Sequence, residues 1–184
     1  MLVAVSLFIV VVTAVSASFI GIVDSYRKTR ALRVNMDNLS TTIESIVRGV
    51  KTGLTYHCGS TGTITTPQNC ASGSSYFAFE SASGNPLLGT DQIVYTLGPQ
   101  GAGCPSANQI CRSTDSGANF YPITAGPPQI TIDTLRFYVL GADSSDAVQP
   151  RVVISIKGTT GLSAKEKTSF SMQTMITQRT PDEE

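Results

Sequence analysis

The first 23 residues, MLVAVSLFIVVVTAVSASFIGIV, carry no charge, and the first charged side chain is Asp24. As a helix rising about 1.5 Å per residue, this stretch spans roughly 35 Å, enough to cross the hydrocarbon core of a bilayer. The helical pattern does not end there. No Gly or Pro occurs between Ile22 and Arg48, and apolar residues recur at Leu32, Met36, Leu39, Ile43, Ile46, Val47, Val50 and Leu54. Steps of three and four place them on one helix face. One continuous helix is therefore predicted, apolar all round over residues 1–23 and one-faced over 24–53. Leu32, Met36, Leu39, Ile43, Ile46 and Val50 are expected to pack on the chain's own sheet. Lys51, Thr52 and Gly53 supply a basic last turn and a glycine stop. Asp24–Lys28, Glu44–Arg48 and Arg33–Asp37 have the spacing of ion pairs along the helix.

Beyond Gly53 the period changes. Residues 55–75 are rich in Gly, Ser, Thr, Pro and Asn and read as a loop. Strands are predicted at 76–80 (YFAFE), 92–97 (QIVYTL) and 109–113, with turns at Asn85-Pro86 and 115–118 and a Gly-rich loop at 98–106. Three longer strands follow at 130–140, 151–157 and 167–178. In the first of these the apolar phase changes between Ile132 and Leu135, which predicts a bulge near Asp133-Thr134. The joining segments, 141–149 and 158–164, are polar and of hairpin length. The predicted class is α+β: a long N-terminal helix, transmembrane in its first half, packed on an antiparallel β-sheet domain over 54–180, with an acidic tail at 181–184.

Composition sharpens this picture in two places. The 184 residues are neutral overall, yet residues 1–53 hold six basic and three acidic side chains, and the remainder holds seven and ten. The distal domain thus gives no charge argument for a nucleic-acid partner. The basic cluster Arg27, Lys28, Arg30 and Arg33 suits lipid headgroups. The four cysteines, Cys58, Cys70, Cys104 and Cys111, all lie beyond the apolar segment. An even number in a Ser/Thr/Gly-rich domain favours disulfides and an oxidising compartment. Three pairings are possible; the local ones, Cys58–Cys70 and Cys104–Cys111, are favoured because each closes a short loop. A zinc site competes weakly, since no C-x-x-C occurs and His57 is the lone histidine.

The basic cluster after the apolar run would place the C-terminal side in the cytoplasm, whereas the cysteines place it outside. A basic leader ahead of residue 1 would settle the conflict in favour of the cysteines. A cleaved signal peptide fits less well, because no basic residue precedes an apolar core that is long for that role. Catalytic chemistry is sparse. His57 has no identifiable nucleophile partner and reads as a loop histidine, and no G-x-S-x-G occurs. The glycines of 98–103 are not followed by the Lys-Ser/Thr of a phosphate loop. Asp143 with Asp146, or Asp115 with Asn119, have calcium-ligand chemistry, though turn-forming roles are commoner. Asn38-Leu39-Ser40 matches a glycosylation acceptor inside the helix. No cofactor and no enzymatic activity are expected.

The opening Met1-Leu2-Val3-Ala4-Val5-Ser6-Leu7-Phe8, the Ile-Val-Val-Val run and the helix through Arg48 resemble the mature start of the type IV pilins and type II secretion pseudopilins. Residues 150–156 (PRVVISI) and 168–179 (TSFSMQTMITQR) are similar to the last strands of J-type minor pseudopilins. The resemblance implies a structural, non-catalytic minor subunit, held in the inner membrane by one helix with its domain outside. An assembly machine would then lift it into a pilus or pseudopilus. Met1, Leu2, Val3, Phe8, Ile9, Val10, Ala14, Ala17 and Gly21 would lie in lipid first and in the filament core later. Small residues there permit close helix approach. The implied partners are other pilin-like subunits, membrane lipid and the inner-membrane assembly machinery. Members of that family carry a basic leader and a glutamate just before the position of Met1. The expectation is that this sequence lacks that leader and about five mature residues, a methylated Phe among them. A single-pass anchored binding or adhesion domain is the alternative.

Overall fold

In the computed structural model, which describes residues 2–85, 88–101, 103–143, 148–161 and 167–179, residues Leu2–Thr52 form one unbroken helix, α1. Nine strands follow: β1 Leu54–Cys58, β2 Cys70–Ser74, β3 Phe77–Glu80, β4 Ile93–Leu97, β5 Ile110–Ser113, β6 Tyr121–Pro122, β7 Ile130–Leu140, β8 Arg151–Thr160 and β9 Thr168–Thr177. They build two antiparallel sheets, ordered β1-β3-β4-β5-β6 and β2-β7-β8-β9. The class is α+β with a long apolar N-terminal helix. Met1, Pro86, Asp146 and the 181–184 tail, each named above, lie outside the described residues.

Two expectations are corrected. The sheet is not one meander but two, and the supposed loop over 55–75 contains β1 and β2. β1 pairs with β3, and β2 lies at the edge of the other sheet against β7. These strands escape a periodicity reading for different reasons. β1 is irregular: its register shifts between Leu54 and His57, and Thr55 adopts a φ of 53°. β2 (CASGS) has no apolar alternation, and its Gly73 is folded at φ 78° against the Tyr138 ring, where a Cβ would collide. The short β6 was also not foreseen.

The late strands follow their patterns closely. β7 and β8 pair in register except between Ile132 and Thr134, where the apolar phase of the sequence changes. β8 runs past Lys157 to Thr160 instead of turning at Gly158. Gly158 is tolerated inside the strand because the Phe170 ring of β9 lies over it, leaving no room for a Cβ.

The core forms where the two sheets and the second half of α1 meet. Phe77 of β3 stacks on Phe137 of β7 at 5.2 Å between ring centroids, joining the sheets. Tyr56, Phe79 and Tyr95 extend the aromatic cluster, and Leu39, Ile46 and Val50 of α1 close it, all essentially buried. The helix ends at Thr52, and residue 53 is a glycine because a Cβ there would overlap the Phe79 ring. Its terminal carbonyls are satisfied from three directions: Tyr56 Oη donates to Val50 O at 2.5 Å, Arg179 N to Lys51 O at 2.9 Å, and Gln178 Nε2 to Gly53 O at 3.2 Å.

Candidate membrane and assembly surface

α1 is divided by what covers it. From Leu39 onward its apolar face is in the core: Leu39, Ile46 and Val50 are buried, and Ile43 and Val47 pack against them. Leu32 and Met36 are half-buried and stand outside the core cluster. The domain's grip on α1 begins with a polar row that the sequence reading did not single out. Asn35 Nδ2 donates to Thr160 Oγ1 at 2.6 Å and to Gln129 O at 3.2 Å. Asn38 Oδ1 accepts from Ala125 N at 3.3 Å, and Thr42 Oγ1 donates to Ile123 O at 2.9 Å. Their spacing of three and four is visible in the sequence, but polar residues at that spacing ordinarily face water.

Residues 2–23 carry none of that cover. Leu2 is 88% exposed, Phe8 67%, Ile9 56% and Val10 66%, and Val3 and Ile20 are equally bare. Ala14, Ala17 and Gly21 lie on the same uncovered length, and nothing approaches within 4 Å of a Cβ placed on Gly21. An unpartnered apolar surface of this extent is not a water-facing surface. Three of its four hydroxyls are already satisfied. Ser6 Oγ donates to Val3 O, Thr13 Oγ1 to Ile9 O and Val10 O, and Ser18 Oγ to Ala14 O, at 2.9 to 3.1 Å. Hydroxyls folded back onto their own helix carry no unmet donor into an apolar medium. α1 is thus one helix long and apolar enough to cross a membrane.

At the end of this stretch stand Arg27, Lys28, Arg30 and Arg33. Among the described residues one ion pair forms, Glu44 with Arg48 at 2.6 Å. The expected Asp24–Lys28 and Arg33–Asp37 pairs do not, which leaves the basic cluster available to anionic headgroups. The Glu44–Arg48 pair is itself well exposed and contributes at most about 1 kcal/mol.

The disulfides join Cys58 to Cys70 and Cys104 to Cys111. The first links β1 of one sheet to β2 of the other. His57 is on β1 rather than in a loop, fully buried, with Nδ1 facing Thr66 O at 2.8 Å and Nε2 facing Thr61 O at 3.1 Å. Both partners are carbonyl acceptors, so a neutral ring donates its one N–H to one of them, tying His57 to the 59–68 loop. Asp115 is a turn residue. Its carboxylate accepts from Ser113 Oγ at 2.6 Å, Asn119 N at 2.8 Å and Asn119 Nδ2 at 2.6 Å. These bonds, led by the Ser113 hydroxyl, lower its pKa to about 2. Asp143 is exposed, and its suggested partner Asp146 is outside the described residues. Among the described residues no three His, Cys, Asp or Glu side chains gather as metal ligands. Two open hollows of about 280 Å³ exist, one in the loops around Gly103 and Phe120, the other between α1 and the side chains of Tyr95, Arg112 and Ile123.

No protein-family model, curated protein or solved structure matches this chain.

Proposed function

We propose that this chain is a structural subunit of a pilin-like filament, a minor component of a type IV pilus or type II secretion pseudopilus. It waits in the inner membrane with its β domain outside and enters the filament through α1. The observation that carries this reading is the asymmetry of one unbroken 51-residue helix. Its second half is locked to the domain by Leu39, Ile46, Val50 and the Asn35, Asn38 and Thr42 bonds, while residues 2–23 are left uncovered by the described residues of the domain. A simple tether needs only to cross the bilayer. A helix that projects as a stiff continuation of the domain core fixes the domain's position relative to the apolar segment, which is what a repeating assembly requires. Replacing lipid around residues 2–23 by neighbouring helices exchanges one apolar environment for another, so close packing at Ala14, Ala17 and Gly21 decides the gain. The two disulfides suit an extracytoplasmic domain.

The test is fractionation of the source cells under conditions that produce surface or periplasmic filaments. The chain is expected in the filaments detached by shearing as well as in the membrane. Its confinement to the membrane while filaments are present would refute the filament reading in favour of an anchored binding domain.

A further inference from the structure

We propose that the turn joining β3 to β4 holds a divalent cation, calcium by the chemistry of its donors, between Glu80, Asp91 and Gln92. Glu80 ends β3 and is 1% exposed; Gln92 precedes β4 and is 2% exposed. Glu80 Oε2 accepts a hydrogen bond from Gln92 Nε2, and Asp91 Oδ2 accepts one from Asn85 N at 2.8 Å. The other oxygen of each side chain, Glu80 Oε1, Asp91 Oδ1 and Gln92 Oε1, is buried with no hydrogen-bond donor among the described residues. Three buried acceptors without a donor are unusual, because a buried oxygen that gives up water needs a replacement for it.

The carboxylates are also close neighbours. A Cβ added to Gly84 would run into Glu80 Oε1 and stand 3.2 Å from Asp91 Oδ2, the oxygen that accepts from Asn85 N, so the two carboxylates lie close together beneath Gly84. Two negative charges meet there, and no Lys, Arg or His pairs with either among the described residues. Burial first, and the Asp91 charge second, raise the Glu80 pKa above its ordinary value, a consequence of the same uncompensated charge. A cation removes all three deficits together. The donors are oxygens only, with no imidazole or thiolate, which suits a hard ion. Calcium tolerates the irregular mixture of carboxylate, amide and water ligands that a turn provides, and magnesium demands a stricter octahedron. Outside the membrane a site of only about 10⁻⁴–10⁻³ M affinity is filled.

The test uses the full-length protein in detergent, stripped with chelator. Equilibrium dialysis against calcium is expected to give one ion per chain, and about 10 mM calcium to raise Tm by a few degrees over chelator. Glu80→Gln and Asp91→Asn should each abolish the binding and the calcium-dependent rise in Tm. Absence of bound calcium in the unmodified protein would overturn the proposal. So would a Tm that ignores calcium and rises only with acidification, which would mean that a shared proton satisfies the pair. Undiminished calcium binding by both variants would also overturn it.

Discussion

Placing a charge at the centre of the bare half of α1 gives the sharpest test of its role, and Val12→Arg is the substitution. Val12 lies midway along the uncharged stretch, on a helix length left uncovered by the other described residues. Residues 2–23 include fourteen Leu, Ile, Val or Phe side chains. At about 0.3–0.6 kcal/mol each, an upper figure because residues near the ends count less, they favour insertion by roughly 4–8 kcal/mol. Replacing Val by Arg at mid-helix forfeits one such contribution and adds about 2.5–3.5 kcal/mol, a change of roughly 3–4 kcal/mol. That is roughly a hundred- to several-hundred-fold in the partition constant. One arginine therefore brings the segment near its threshold, and Val12→Arg with Val15→Arg takes it past. Val34→Arg provides the control, since Val34 is even more exposed, 61% against 43% for Val12, but lies beyond the apolar stretch. The assay is resistance of the full chain to alkaline carbonate extraction from membranes. Val12→Arg should be partly extracted, the double variant wholly, and Val34→Arg as little as the unmodified chain. Equal retention of the double variant and the unmodified chain would refute the reasoning, as would equal loss from Val34→Arg.

Four other outcomes are expected. Replacing Cys58 and Cys70 together by Ala should cost about 2–4 kcal/mol, read as a lowered denaturation midpoint, because the bridge joins the two sheets as well as closing a loop. Gly53→Ala should cost about 1–3 kcal/mol by forcing its methyl into the Phe79 ring, measured by thermal melting. Asn35→Ala should destabilise by about 1 kcal/mol and speed amide exchange at the junction of α1 with β8, since it removes two bonds to the domain. In chelator, stability should decline as pH rises above the ordinary glutamate range. The raised pKa of Glu80 means that the folded state binds the proton more tightly than the unfolded chain does, so the contribution is full at low pH and is lost through the folded pKa. Glu80→Gln should remove that decline.

What could be read from the chain follows the range of the forces involved. α1 and the long strands announce themselves because burial imposes a local period: the helix ends at Thr52, beside the predicted glycine stop, and the phase change of β7 is its bulge. The division into two sheets was not legible, because it depends on distant pairings, β1 with β3 and β2 with β7, and on strands too short or polar to show a period. The bare apolar surface is pure composition and was plain. The polar row Asn35, Asn38 and Thr42 was hidden, since such residues normally face solvent and here meet carbonyl, amide and hydroxyl groups at the domain edge. Glu80 was hidden for the converse reason: β3 alternates like a half-exposed strand but is buried at all four positions, its terminal carboxylate included.

The central claim is that residues 2–23 exchange lipid for neighbouring helices. Replacing Ala17 by a photoreactive amino acid and irradiating the membrane-held and filament-incorporated protein separately tests it most directly. The account predicts lipid adducts from the membrane fraction and adducts to the N-terminal helices of neighbouring subunits from the filament fraction. Lipid adducts alone in both fractions, or protein adducts to a domain surface and not to a helix, would contradict it.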